Sequence, residues 1–217
     1  MNTQQYTENN KANNQLVIDI ETMADMSVID LLPEPSISAV LKDPEKIKIA
    51  QEKARQEQID KMALNPLTGQ IACIGVYNDN KQDVYIDTEV NMLDAIYEDL
   101  ISYQAITYNG LNFDIPYIFK RGIINNCKWA SLKTMKQFTD KYKSQSKHID
   151  LMNEWCSYGQ YEKLDNLGSF ILGQKKVEFD FKEIPELLKT DEGKEKLKAY
   201  CLRDCELTWK LAKRLGF

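Results

Sequence analysis

Histidine and paired cysteines are nearly missing from this chain of 217 residues. The single histidine is His148, and the five cysteines include no CxxC pair and no cluster with histidine at ligand spacing. This composition argues against a zinc site, because zinc sites usually take their ligands from such clusters. The GxSxG elbow is missing from the sequence too, so a histidine-dependent nucleophilic triad would depend on His148 alone.

Long apolar runs are missing as well. No run approaches the ~20 apolar residues of a membrane-spanning helix, so we expect no membrane partner. Residues 1–14, MNTQQYTENNKANN, lack the apolar core of a signal peptide, and we expect a disordered lead-in there. Without an export signal, the odd number of cysteines favours reduced thiols and a cytoplasmic protein.

The pattern of the remaining residues predicts a single domain over 15–217. Apolar or alternating segments predict strands at 15–20, 70–77, 83–87, 105–108 and 148–151. Helical patterns follow at 92–102, 113–120 and 193–215. A further helix is expected in an insertion at 43–64, since Asp43 suits a cap and Pro44 the first helical position. Strands that alternate with helices indicate an α/β domain with a mixed sheet.

Four carboxylates stand among apolar residues, where a charge is costly to bury. Asp19 and Glu21 lie in QLVIDIET, Asp114 in YNGLNFDIPYI and Asp204 in YCLRDCELT. Asp19 and Glu21 are two residues apart on a predicted strand, so their side chains point to the same face. Carboxylates gathered in this way are typical of a site for a divalent metal.

Each of these patterns also has a plainer explanation. The first pair could be the solvated face of an edge strand, and Asp114 could only cap a helix, where the helix dipole favours an acid. Tyr200 and Asp204 are four residues apart on a predicted helix and share a face. A core tyrosine beside a solvated aspartate would give the same pattern.

Taken together and in this order, the three patterns resemble the exonuclease motifs of the DnaQ-like 3′–5′ exonucleases. The tyrosine at position 200 matches the DEDDy class, and YNGLNFDIPYI is similar to the second motif of the proofreading domain of family B DNA polymerases. The insertion before the second strand resembles that of stand-alone phage or bacterial relatives. This resemblance implies a ribonuclease-H-like fold, which is a mixed five-stranded sheet flanked by helices with its first three strands antiparallel.

The resemblance also implies a chemistry and a set of roles. Two divalent cations, Mg²⁺ or Mn²⁺, would assist release of nucleoside 5′-monophosphates from single-stranded or frayed 3′ ends of DNA. Tyr200 would orient the attacking water. The implied metal ligands are Asp19, Glu21, Asp114 and Asp204. The implied substrate-binding residues are Thr22, Asn109, Phe113 and Lys175.

Other functions stay open at this point. The substrate could be RNA, or the chain could be a non-catalytic nucleic-acid-binding module, or the pattern could be a coincidence in an unrelated α/β domain. A partner polymerase or repair protein is also open. Ala199 stands where the histidine class of these enzymes has its histidine, so we expect His148, with Asp150, to have a structural role. At the position of the family's Ser/Thr-Leu pair the chain has Lys163-Leu164, whereas Ser131-Leu132 offers such a pair elsewhere, so the position of this motif stays open.

The charge distribution is uneven. The net charge of −5 argues against nucleic acid, yet residues 120–147 hold eight lysines or arginines and one acid, so the rest carries about −12. Trp129, Phe138 and Tyr142 are interleaved with these cations, which is the composition of a surface for single-stranded nucleic acid. The alternative is a solvated lysine-rich face with core aromatics.

Overall fold

A mixed five-stranded sheet forms the centre of the molecule in the computed structural model, which describes residues 14–38, 40, 42–140, 147–157, 159–175 and 178–217. The strands are β1 (Gln15–Ala24), β2 (Gly69–Tyr77), β3 (Gln82–Tyr85), β4 (Gln104–Thr107) and β5 (His148–Asp150). Their spatial order is β3-β2-β1-β4-β5. The segments with alternating or continuous apolar residues are therefore the strands of this sheet, and β1 is its central strand.

The strand directions follow the expected scheme. β1 pairs antiparallel with β2, and β2 pairs antiparallel with β3. β4 runs parallel to β1, and β5 runs parallel to β4. The prediction of an α/β fold with a mixed five-stranded sheet is confirmed. β1 extends four residues beyond the predicted 15–20, because its pairing with β2 continues after the apolar pattern ends at Glu21.

Helices cover both faces of the sheet. They are α1 (Pro44–Met62), α2 (Glu89–Ser102), α3 (Asp114–Ile124), α4 (Leu132–Thr139), α5 (Leu151–Trp155), α6 (Leu164–Leu167), α7 (Ile184–Leu187) and α8 (Asp191–Leu215). Shorter 3₁₀ segments occupy Met26–Leu31 and Phe181–Glu183, and a π-helical turn occupies Gly168–Leu172. In the described part of the chain, none of these helices is both long and apolar enough to cross a membrane.

Local capping explains where these helices begin. Asp43 accepts a hydrogen bond from the backbone of Glu45, and Pro44 opens α1, as predicted. Thr88 caps α2, which therefore starts three residues before the predicted 92. α4 was not predicted, because lysines interrupt its apolar pattern and leave Phe138 as its buried residue.

The two faces of the sheet pack against different helices. Ile18 and Ile20 of β1 belong to a core cluster that also contains Ile96 of α2 and Ile118 of α3. The opposite face packs against α8. Val17 of β1 and Ile106 of β4 belong to a second core cluster, together with Cys205, Trp209 and Leu211 of this helix. Alternate residues of β1 therefore face the apolar core on one side and α8 on the other.

Candidate active site

Three of the predicted carboxylates converge on the α8 face of the sheet. Asp19, Glu21 and Asp204 each place one carboxylate oxygen within 4.8 Å of the others, and we call this set the carboxylate centre. Asp19 is partly buried, whereas Glu21 and Asp204 are 7% and 4% exposed. Two of the three residues come from β1 and the third from α8, so the centre lies where this helix crosses the middle strand.

The position of β1 explains the pairing of Asp19 and Glu21. Asp19 lies opposite Gly75 and Glu21 lies opposite Cys73 on β2. The register shifts between Glu21 and Thr22, which changes the direction of the strand directly after the centre. Because β1 is the central strand and Glu21 is buried, the alternative of a solvated edge strand is wrong.

Helix α8 supplies Tyr200 and Asp204 from one face. Both are buried, so the alternative of a solvated aspartate is wrong. The Tyr200 ring stacks on Phe179 with centroids 4.2 Å apart and an interplanar angle of 20°. Phe181 meets the same ring edge-on at 6.0 Å. These aromatic contacts fix the direction of the tyrosine hydroxyl relative to the carboxylates.

Asp114 approaches the centre from α3, on the other side of β1. The residue at the cap position is Phe113, which makes no side-chain capping bond, and Asp114 is the first helical residue. The Asp114 Oδ1 atom accepts a hydrogen bond of 3.1 Å from the backbone N–H of Ile20. The cap-only alternative is therefore wrong. Asp114 belongs to neither of the clusters of metal-ligating groups found among the described residues, and the carboxylate centre consists of the other three acids.

The loop between β4 and α3 is held by Asp150, which is buried at the end of β5. Its carboxylate accepts hydrogen bonds from the backbone N–H groups of Asn109 and Leu111, at 2.9 and 2.8 Å. Asn109 adopts a left-handed conformation with φ of 67°, which a side chain able to bond locally tolerates. The carboxylate of Asp150 therefore fixes the turn that delivers Asp114.

His148 also braces the fold. Its ring nitrogens lie 2.8 Å from Thr107 Oγ1 and 3.0 Å from the backbone oxygen of Phe138. Burial lowers the pKa of this histidine, which favours the neutral ring in these two contacts. His148 thus links β4, β5 and α4 and lies outside the carboxylate centre, in line with the structural role expected for it.

The electrostatics of the site favour a cation. Burial, followed by the charges of Glu21 and Asp114, raises the pKa of Asp19 well above its ordinary value. Burial raises the pKa of Asp114 to about 7, although the hydrogen bond from Ile20 acts in the opposite direction. A divalent cation among these carboxylates would remove the repulsion. The donors are hard oxygens, which suits Mg²⁺ or Mn²⁺.

A cleft of about 660 Å³ opens beside the aromatic rings that hold Tyr200. We call it the α1 cleft, because one wall is the inserted helix. Its lining includes Thr22, Met26, Gln56, Ile59, Phe179 and Phe181. An ion pair of 3.1 Å between Asp60 and Lys182 joins the two walls. The insertion thus packs beside the end of β1 and shapes the space next to Tyr200.

The predicted substrate-binding residues occupy three places. Thr22 lines the α1 cleft. Lys175 is exposed and lines a second cavity, of about 670 Å³, together with Arg203 and Asp204. Asn109 and Phe113 lie in the loop before α3, and the Phe113 ring packs against Tyr117 at 5.4 Å. Of these four residues, Lys175 shares a cavity with Asp204 of the carboxylate centre, and Thr22 directly follows Glu21 in the chain.

In the described part of the basic run, residues 120–140 and 147, the two aromatic rings pack against other side chains of the fold. Trp129 stacks on Tyr97 at 4.5 Å, and Phe138 is 1% exposed in the core. Arg121 is buried in an ion pair with Glu89. The prediction of interleaved stacking aromatics is wrong for Trp129 and Phe138, because both side chains fill the space around α3. Tyr142 lies outside the described residues.

Sequence reasoning overlooked the cysteines beside the carboxylate centre. Cys201 and Cys205 place their sulfurs within 4.8 Å of an Asp19 oxygen and of each other. Hydrogen bonds from Cys205 and Cys73 lower the pKa of Cys201 to about 5. The sequence did contain a signal for Cys201 and Cys205, because residues four apart on a helix lie on the same face. Cys73 gave none, because only the fold brings β2 next to α8.

Residues 68–215 match a protein family described as a predicted 3′–5′ exonuclease related to the exonuclease domain of PolB. This region covers more than half of the chain and contains Asp114, Tyr200 and Asp204. The matched region begins after Asp19 and Glu21. The assignment of these two β1 residues to the site therefore rests on the structure and on the sequence pattern.

Two proteins illustrate the likeness. A DNA polymerase of Thermococcus litoralis is 28% identical over 121 residues, which are 50% of this chain and 7% of that protein. The structure of the family B DNA polymerase from the hyperthermophilic archaeon Pyrobaculum calidifontis matches with a TM-score of 0.57 and 16% identity. The match covers 93% of this chain and 24% of that chain, and at this identity it shows the fold alone.

Proposed function

Because this chain belongs to the family of predicted 3′–5′ exonucleases related to the exonuclease domain of PolB, we propose that it hydrolyses DNA from the 3′ end with two divalent cations. The substrate is single-stranded DNA or a frayed 3′ end, and the product is a nucleoside 5′-monophosphate. The observation that carries the proposal is the convergence of Asp19, Glu21 and Asp204 within 4.8 Å. Acids this close repel one another unless a cation lies among them.

Four carboxylates hold the cations in this proposal. Asp19, Glu21 and Asp204 hold them from the α8 side, and Asp114 does so from α3. Cations of this kind, once bound, polarise the scissile phosphate and lower the pKa of an attacking water. The oxygen donors support Mg²⁺ or Mn²⁺ in this role.

Tyr200 positions the water in this proposal. Burial, followed by the charge of Asp204, raises the pKa of Tyr200 above its ordinary value. The hydroxyl therefore stays protonated near neutral pH and acts as a hydrogen-bond donor, not as a base. Its stacking on Phe179 keeps the ring in one direction, as a positioning role requires.

Substrate contacts are assigned to the residues around the centre. Thr22 contacts the strand end in the α1 cleft, and Lys175 contacts a phosphate from the cavity that also contains Arg203. Asn109 and Phe113 contact the terminal nucleotides from the loop before α3. In this arrangement helix α1 is a wall of the substrate cleft.

The test is a degradation assay on 3′- and 5′-labelled single strands. We expect stepwise shortening from the 3′ end with Mg²⁺ or Mn²⁺, and none with EDTA. Asp204→Asn keeps the shape of the side chain and removes its charge, so we expect a rate loss of at least about a hundredfold. Activity that survives both EDTA and Asp204→Asn would contradict the proposal.

A matched control comes from the same helix. Glu195→Gln removes an exposed acid that pairs with Lys198 outside the carboxylate centre, and it should leave the rate unchanged. Thermal unfolding of both variants checks that they are folded. RNA of the same sequence decides between DNA and RNA, and binding without cleavage would assign the chain to the non-catalytic alternative.

A further inference from the structure

Three cysteine side chains lie against the carboxylate centre on its inner side. Cys201 and Cys205 are four residues apart on α8, and Cys73 lies on β2 opposite Glu21. All three are fully buried. We call them the thiol cluster. The proposed hydrolysis uses none of the three.

Gly75 explains how two sulfurs fit beside the middle of the sheet. This glycine is the β2 partner of Asp19. A Cβ atom at position 75 would lie 2.6 Å from the sulfur of Cys205 and 2.7 Å from that of Cys201, which is too close for either. The two sulfurs therefore rest side by side over the backbone of Gly75. The Asp19 carboxylate lies within 4.8 Å of both.

We propose that Asp19, Cys201 and Cys205 form a second metal site, which takes a thiophilic divalent cation such as Zn²⁺ or Cd²⁺. Thiolate sulfur and carboxylate oxygen are common zinc ligands, at about 2.3 and 2.0–2.2 Å from the metal. Donor atoms around a tetrahedral zinc then lie roughly 3.5–3.8 Å apart. The present donors lie within 4.8 Å of one another, and the proposed site requires them to close on the metal to that spacing. Binding releases the thiol protons to solvent.

The fourth ligand has a candidate in the same cluster. The Cys73 thiol hydrogen-bonds to Cys201, so its sulfur lies next to the proposed position. Mg²⁺ and Mn²⁺ prefer oxygen donors and would stay with the carboxylate centre. The soft sulfur ligands therefore select Zn²⁺ or Cd²⁺, and the hard oxygen ligands select Mg²⁺ or Mn²⁺, although both kinds of cation use Asp19.

Sharing Asp19 gives the site a regulatory consequence, which rests on the proposed function. A thiophilic cation bound to Asp19 withdraws this ligand from the carboxylate centre and inhibits the Mg²⁺-dependent reaction. Since the sulfurs are fully buried and Asp19 is partly exposed, the cation enters through the carboxylate centre. Binding itself does not depend on any nuclease activity.

The first test measures binding without a substrate. In the background variant Cys127→Ser/Cys156→Ser, all cysteines outside the thiol cluster are removed. The protein is kept reduced with a phosphine, freed of metal and titrated with Co²⁺ or Cd²⁺. We expect a thiolate-to-metal charge-transfer band that saturates at one equivalent of metal and survives excess Mg²⁺.

Ligand variants in the same background decide the assignment. Cys201→Ala and Cys205→Ala should each weaken binding by at least about tenfold and reduce the band. Asp19→Asn keeps both sulfurs and changes only the oxygen ligand, so it should keep the band but weaken the affinity. Circular dichroism confirms folding. Cysteine can also pack as a small apolar residue. No band in the folded background protein, or an unchanged band in both alanine variants, would overturn the proposal.

The second test separates this proposal from the proposed function. Zn²⁺ should inhibit Mg²⁺-dependent cleavage, and the concentration for half-inhibition should rise at least about tenfold in Cys201→Ala relative to the background protein. A charge-transfer band in a protein without nuclease activity would retain the metal site and reject the nuclease. Cleavage without a charge-transfer band would retain the nuclease and reject the metal site.

Discussion

A buried carboxylate with no cation beside it lowers the stability of a folded protein at neutral pH. Asp114 is 4% exposed, and burial raises its pKa to about 7. In the unfolded chain the same group has a pKa of about 3.9. The folded state therefore binds this proton more tightly than the unfolded state. The stability that results is fully present below about pH 4 and is lost as the pH rises through about 7.

Because the pKa of Asp114 is raised in the folded state, the stability of the metal-free protein should fall as the pH rises. In EDTA, we expect the free energy of unfolding to fall between about pH 4 and pH 8, with a contribution from Asp114 on the order of 4 kcal/mol. Asp114→Asn keeps an oxygen that can accept from Ile20 and has no charge to gain. Urea unfolding at a series of pH values measures the slope.

The free energy of unfolding of Asp114→Asn should depend less on pH than that of the wild type. Asp19 titrates in the same direction, so part of the slope should remain in Asp114→Asn. Mg²⁺ should restore stability at pH 8 in the wild type, because the cation replaces the proton as the partner of the carboxylates. Equal slopes for wild type and Asp114→Asn would show that this carboxyl does not carry the effect.

At the scale of elements, one ion pair sets the direction of α3 and hence the position of Asp114. Arg121 donates to Glu89 from Nε and Nη2, at 2.8 and 2.6 Å, and from Nη1 to the backbone of Pro66. Glu89 also accepts from the backbone N–H of Ile71. The pair therefore joins the first turn of α2, the last turn of α3 and the start of β2.

Removing one partner of this pair should be costly. Arg121→Met keeps most of the apolar stem and leaves the largely buried Glu89 carboxylate without its cation, so we expect a loss of about 3 kcal/mol in unfolding free energy. Lys120→Met, at the exposed neighbouring position, should change stability by less than about 0.5 kcal/mol. Urea unfolding measures both. A small effect of Arg121→Met would mean that the pair contributes little to the packing of α3.

These elements also show what the sequence could predict. The carboxylates on β1 and α8 were predictable, because residues two apart on a strand or four apart on a helix share a face. The burial of Arg121 was not, since its partner Glu89 is distant in sequence and the basic run around it favours a solvated surface. The thiol cluster was missed for the same reason, because Cys73 meets Cys201 only after β2 has paired with β1.

At the scale of the whole molecule, the insertion joins a distant part of the chain to the site. Helix α1 and the segment around Phe181 face each other across the α1 cleft. The ion pair between Asp60 and Lys182 is largely exposed, so solvent screens it and it adds little to stability. The walls of the cleft are therefore held mainly by packing.

A charge placed on the α1 wall tests whether this cleft receives the substrate. Ile59 lines the cleft, and Ile59→Glu would set a negative charge beside the phosphates of an incoming strand. We expect KM for single-stranded DNA to rise about tenfold with little change in kcat, because the carboxylate centre is untouched. Ile49→Glu, on the same helix at a residue that is 60% exposed and outside the cleft, is the control.

Salt dependence gives this prediction a second measurement. Repulsion of the strand by Glu at position 59 should weaken as ionic strength rises, so the KM values of Ile59→Glu and wild type should converge at high salt. Ile49→Glu should follow the wild type throughout. Equal KM values for all three proteins at low salt would place the substrate elsewhere on the molecule and leave α1 with a packing role, because a charge in an occupied cleft cannot be neutral to a polyanion.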